Sequence, residues 1–223
     1  MSLNAIIFDF DGTIVESVDT KTEAFRTLFA RESGQLDRII ALHLEHGGRS
    51  RYEKFAMIYR DILQRDPLPG EFDELGRRFE ALVFDAVATC PFVPGAEAFL
   101  SEYAVRLPLI LVSGTPHAEL MRVLERRDLV ARFREIHGSP REKEEIIRDV
   151  LERHAWAAKD LLFVGDAMSD CLAAASVGVP FIGRVHTGTL SRFRSGVPTI
   201  ADFSELPGLL PGVESAPRVG DGW

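Results

Sequence analysis

Hydrophobic positions along the chain fall into two kinds of pattern. Short unbroken apolar runs recur at Ala5 to Phe8, Leu107 to Val112, Leu161 to Val164 and Pro180 to Ile182. Each is followed within a few residues by small, polar or acidic side chains, as expected for strands of a parallel sheet buried on both faces. Between them the apolar residues are spaced by three and four, which predicts amphipathic helices at Ala96 to Tyr103, His117 to Arg126 and Lys143 to Arg153. Alternating strand and helix predicts an α/β fold built on a doubly wound, mainly parallel, Rossmann-like sheet. Residues 18–89 break that alternation. They read as helix after helix, at Lys21 to Arg31, Leu36 to His46, Arg51 to Gln64 and Glu71 to Val87, with no strand between. The pattern predicts an all-α domain inserted into an α/β core made of residues 1–17 and 90–223, with crossings at Glu16 to Asp19 and at the proline-rich Thr89 to Pro94. The tail after Pro207, rich in Gly and Pro, reads as a surface segment.

Composition narrows the function classes. The 223 residues are 46% hydrophobic, enough for a substantial core. The formal charge of −8 comes without any basic run, which argues against nucleic acid or an anionic membrane as the partner and leaves a small molecule. Cys90 and Cys171 are far apart in sequence and in no metal-like spacing, so they read as reduced, structural thiols. The chain opens on a strand-like segment and not on a basic and apolar leader, and no stretch approaches the ~18 apolar residues of a membrane span. A soluble cytoplasmic protein, monomeric or a small homo-oligomer, is expected.

Candidate chemistry begins in the first apolar run, IIFDFDGT. Strand side chains alternate faces, so Asp9 and Asp11 point one way and Phe8 and Phe10 the other. Two like charges there are tolerable if a cation lies between them, if one carboxyl keeps its proton, or if both are solvated. Ligands of a doubly wound sheet bind beyond the carboxyl ends of its strands. After the second run come Ser113 and Gly114, and after the third Asp166 and Asp170. Four carboxylates converging at one edge call for a hard cation, and oxygen-only ligation suits Mg²⁺. Lys143, opening a helix in GSPREKEEII, supplies a positive counterpart for a bound phosphate. A calcium loop starting at Asp9 is excluded, because Ile14 and Thr20 occupy the positions of its glycine and its last acid.

In this order, DFDGT, LVSGT, the lysine of GSPREK and GDAMSD resemble the four motifs of the haloacid dehalogenase superfamily. The helical block between the first two motifs is similar to the cap of its phosphoglycolate phosphatase and β-phosphoglucomutase branch. The resemblance implies a Mg²⁺-dependent phosphatase acting on a small phosphate monoester. Asp9 would be the nucleophile that forms an aspartyl phosphate, and Asp11 the acid and base. Mg²⁺ would be held by Asp9, the backbone carbonyl of Asp11 and Asp166. Asp170 would orient metal waters or Lys143. Ser113, with the amide of Gly114 or Thr115, would bind the phosphoryl oxygens, and Lys143 would pair with them and with Asp9. Members that cleave carbon–halogen bonds lack an acid two residues after the nucleophile, so Asp11 argues against dehalogenation. Within the cap, LEHGGRSRYEKF resembles the segment with which β-phosphoglucomutases hold a distal anion. That match nominates Arg51, then Arg49, for a second acid group of the substrate. Where those mutases usually carry histidine this chain has Lys21, a candidate to face the active site, and the difference favours a phosphatase over the alternative, a sugar-phosphate mutase. A non-catalytic binding protein is the remaining alternative, against which stands the full set of motif residues. His43 and His46 read as structural, since no third ligand lies nearby in sequence.

Overall fold

The computed structural model describes residues 3–186 and 188–210. Six strands form one all-parallel sheet: β1 (Ala5–Phe8), β2 (Leu109–Pro116), β3 (Glu135–Ser139), β4 (Leu161–Gly165), β5 (Phe181–Arg184) and β6 (Thr199–Ile200), in the order β3-β2-β1-β4-β5-β6. β1 is central and buried along its whole length, which is why its sequence is continuously apolar. Its alternating side chains feed two separate cores. Ile6 and Phe8 join Leu109, Leu111, Leu162 and Val164 on one face, while Ala5 and Ile7 join Ile110, Val112, Leu161 and Phe163 on the other.

After β1 the chain passes through α1 (Val18–Leu28), α2 (Leu36–Glu45), α3 (Arg51–Met57) and α4 (Glu71–Thr89). These helices pack on one another through Phe25, Phe55 and Phe79, and their apolar residues are continuous with the first core. The outgoing and returning strands run side by side at the base of this block. The Glu16 amide donates to the Pro91 carbonyl at 2.9 Å and the Val93 amide to the Ile14 carbonyl at 2.9 Å. The remaining helices, α5 (Ala96–Tyr103), α6 (His117–Arg126), α7 (Lys143–His154) and α8 (Met168–Ser176), cover the sheet. α5 and α6 contribute to the first core, α7 and α8 to the second.

Several elements differ from the sequence expectation. β3 was missing from it because Glu135-Ile136-His137 offers no apolar run; Glu135 is instead the hub of pairs with Arg153, His137 and His154. β6 is only two residues long, and α8 is too small-residue-rich for a clear apolar stripe. The helix expected over residues 51–64 is α-helical only to Met57 and continues as a π-helical turn, Ile58–Leu63. β2 starts after Pro108 and β5 after Pro180, since proline has no amide to give the ladder. The tail expected at the surface lies outside the described residues from position 211 on; before it, Leu206–Leu209 forms a 3₁₀ turn and Leu210 is buried. Among the described residues no helix is long and apolar enough to cross a membrane.

Candidate active site

The carboxyl ends of β1, β2 and β4 lie side by side, and the residues that follow them meet there. The Asp9 amide still bonds the Val164 carbonyl at 3.0 Å, which fixes the nucleophile candidate at the last rung of the sheet. One oxygen each of Asp9, Asp166 and Asp170 lies within 4.8 Å of the others. Lys143 Nζ, delivered by the first turn of α7, donates to Asp9 Oδ1 at 2.7 Å and to Asp170 Oδ1 at 2.6 Å. Asp170 Oδ2 accepts from the Ala167 amide at 3.1 Å, so both of its oxygens are engaged. Asp9 Oδ2 is buried and has no hydrogen-bond partner.

The electrostatics follow from crowding three acids in a dry place. Burial pushes the Asp9 carboxyl up to about 7, against the opposing pull of Lys143, and burial with the Asp9 and Asp170 charges raises Asp166 well above the usual carboxylate range. Burial works against the charged form of Lys143, but Asp170 and Asp9 outweigh it and hold the ammonium above its ordinary range. A hard dication among these oxygens would remove the strain on the carboxylates. The all-oxygen donor set and the unpartnered Asp9 Oδ2 therefore fit Mg²⁺.

Asp11 behaves differently from Asp9. Its side chain lies outside the carboxylate cluster and accepts from Ser17 at 2.6 Å, Lys21 at 2.5 Å and Thr115 at 3.0 Å. Burial opposes its ionisation, but the Lys21 charge and these three donors outweigh it and hold Asp11 below the usual range. Lys21 also donates to Thr115 at 2.9 Å, so α1 reaches the site through this lysine. Ser113 Oγ is buried and accepts from the Thr115 amide at 3.1 Å. Gly12 has φ +76°, and a Cβ there would come 2.2 Å from Asp166 Oδ2, so only glycine lets the turn after Asp11 pass beneath that carboxylate. Arg184, which sequence reasoning missed, secures the turn by donating to the Gly12 carbonyl at 3.1 Å while pairing with Glu16 at 2.6 Å.

The helical block closes over this edge. Gly48, at φ +76°, lies so close to Ser169 that a Cβ would approach its Oγ to 2.4 Å, and Ser169 Oγ donates to the Gly47 carbonyl at 2.7 Å. A cavity of about 730 Å³ remains between block and sheet, lined by Asp11 and Asp166 from the sheet edge and by Lys21, His43 and Lys54 from the block. Here the sequence reading needs correction. Arg51 does not line the cavity: its guanidinium is buried against Glu119 at 2.7 Å and lies over the Phe79 ring. Arg49 is committed to Glu53 at 2.9 Å and is also absent from the lining. The helix that starts at the capping serine, Ser50, turns Arg51 away and brings Lys54 to the cavity wall instead. Lys54 Nζ sits 3.3 Å from His43 Nδ1. Burial and the nearby Lys21 charge push Lys54 down to about 7, while burial and the Lys54 charge push His43 down to about 2. Nothing in the sequence separates Lys54 from Arg51, three positions before it; the packing of Arg51 against Glu119 does.

A family model described as haloacid dehalogenase-like hydrolase matches residues 3–178. A phosphoglycolate phosphatase of Synechococcus elongatus is 27% identical over 181 residues, covering 79% of this chain and 81% of the relative. Two solved structures share the fold. YfnB from Bacillus subtilis, a HAD-hydrolase bound to magnesium, superposes with a TM-score of 0.70 at 16% identity, over 94% of this chain and 99% of the other. A CbbY variant from Rhodobacter sphaeroides in complex with xylulose-(1,5)bisphosphate gives a TM-score of 0.71 at 20% identity, over 92% and 96%.

Proposed function

The chain belongs to the haloacid dehalogenase-like hydrolases, and from that premise we propose that it is a Mg²⁺-dependent phosphatase hydrolysing a small phosphate monoester through an aspartyl-phosphate intermediate on Asp9. The observation that carries this reading is the state of the Asp9 carboxylate: one oxygen fixed by Lys143, the other buried and unpartnered, in a cluster with Asp166, which lines the cavity. Phosphoglycolate phosphatase activity in a relative and a sugar bisphosphate in a structural neighbour are in keeping with it. We take residues 1–17 and 90–223 as the catalytic core and 18–89 as its cap.

Asp9, Asp166 and the backbone carbonyl of Asp11 would hold Mg²⁺, with Asp170 beside them. When bound, the ion neutralises phosphoryl charge. Asp9 attacks phosphorus with one carboxylate oxygen, and the bond from phosphorus to the leaving oxygen breaks. Lys143, Ser113 and the amide of Gly114 or Thr115 hold the transferring oxygens. Asp11 protonates the leaving alkoxide, then takes a proton from the water that attacks the aspartyl phosphate and releases inorganic phosphate. As it stands, Asp11 is the carboxylate, which is the form the second step uses. Donation in the first step requires Lys21 to loosen its hold on it.

The test is a screen of monoesters with Mg²⁺, comparing two-carbon, sugar and nucleotide phosphates and an aryl phosphate. Steady release of inorganic phosphate supports a phosphatase. Isomerisation of a sugar phosphate that depends on a bisphosphate activator would replace it by the mutase reading.

A further inference from the structure

Among the described residues four Lys or Arg side chains are buried: Arg51, Lys54, Lys143 and Arg184. Three have a carboxylate at salt-bridge distance: Glu119 for Arg51, Asp9 and Asp170 for Lys143, Glu16 for Arg184. Lys54 has none. It is 5% exposed, its polar contact is the imidazole of His43, and the ring of Phe25 lies 5.8 Å from its Nζ. A buried ammonium without a counter-charge is costly, and neither an imidazole nor a ring face replaces a carboxylate. Lys54 lines the cavity together with Asp11, Lys21 and Asp166. Of the other cations on the cavity wall, Lys21, also from the cap, is held by Asp11, Arg184 is held by Glu16, and Arg192 is exposed and donates to the Leu44 carbonyl at 2.7 Å. Among the described residues Lys54 is therefore the buried cation of this cavity that has no ion pair, and it stands on the cap wall.

Resting on the phosphatase reading above, we propose that Lys54 is a specificity-determining residue that binds a second anionic group, carboxylate or phosphate, carried by the leaving group. The substrates are then phosphate monoesters with an acid at their far end. Space is not limiting, since about 730 Å³ is within the range of sites that take drug-sized ligands. The anion completes the missing pair, and the burial of Lys54 makes the pair stronger than at a surface.

Binding of non-hydrolysable phosphonates by calorimetry at saturating Mg²⁺ tests this without relying on turnover. Methylphosphonate, 3-phosphonopropionate and a three-carbon bisphosphonate are compared on the wild type, Lys54→Met and Lys54→Gln. Wild type is expected to prefer at least one of the two-headed ligands over methylphosphonate by on the order of 30-fold or more, and both variants to lose that preference. Which two-headed ligand gains more tells carboxylate from phosphate. Removing a desolvated charge should leave the melting temperature of Lys54→Met at or above wild type, which a structural lysine would not do. No preference in wild type, or a preference that survives in a folded variant, overturns the proposal. Absence of phosphate release from every monoester would sink the phosphatase reading alone, because the binding comparison stands without it.

Discussion

The guanidinium of Arg51 and the carboxylate of Glu119 meet at 2.7 Å with both side chains 5% exposed, joining α3 to the first turn of α6. Glu119 Oε2 is buried with no partner, so Arg51 alone compensates this acid. Removing the arginine strands a buried charge. Arg51→Met is expected to destabilise the fold by about 3–5 kcal/mol, and a second change, Glu119→Leu, to restore most of it. Denaturant melts of the single and double variants measure both. A change in the relative rates on one-headed and two-headed substrates, with stability untouched, would return Arg51 to substrate recognition.

Asp9→Asn keeps the shape of the side chain and gives up its nucleophilicity. Turnover should drop on the order of 10³-fold or more, and mass spectrometry should no longer find a phosphorylated chain. Near-normal turnover with Mg²⁺ present would rule out covalent catalysis at this position.

Chelation should abolish activity and Mg²⁺ should restore it. Asp166→Ala removes one of the three oxygens clustered within 4.8 Å, so it should raise the Mg²⁺ concentration needed for half-maximal rescue by about 100-fold or more. Activity that persists after exhaustive dialysis against chelator would contradict a metal at these aspartates.

The pair of His43 and Lys54 gives stability a definite slope with pH. His43 is depressed from 6.5 to about 2, so the unfolded chain takes up a proton below about 6.5 that the folded chain refuses, and stability is lost as pH falls from there. Lys54 is depressed from 10.5 to about 7, so its contribution is absent below about 7 and grows as pH rises toward 10.5. Both act in the same direction. Melting temperatures of wild type and Lys54→Met, taken from pH 5 to 9.5, should converge on the alkaline side; parallel curves would show that Lys54 is not desolvated.

Sequence made the central strands and the motif residues legible because both are governed by local rules. β1 must be apolar on two faces, Asp9 and Asp166 directly follow β1 and β4, Ser113 follows the apolar run of β2, and Lys143 opens α7. What could not be read were relationships that depend on packing between distant segments. The partner of Arg51 lies 68 positions away and that of Arg184 lies 168 away. A composition rule cannot foresee that Arg51 is used up by Glu119 while Lys54, three residues on, is left facing the cavity. β3 and β6 escaped for a simpler reason, that edge strands carry polar side chains or too few residues to show a period.

The position of β1 in the sheet also bears on how the chain comes to be folded at all. It is synthesised before the other strands of the sheet, yet it pairs with β2 and β4, with Ile6 aligned to Leu109 and to Leu162, about 100 and 155 residues later. Until those segments emerge, a fully apolar strand ending in two aspartates has nothing to pair with. The helices of residues 18–89, whose contacts are mostly with one another, can form sooner because their loops are short to close. During synthesis the site is thus assembled last, when the third apolar run slots in beside the first. A chain truncated before Leu161 would expose one edge of β1 and is expected to aggregate instead of forming a smaller working enzyme.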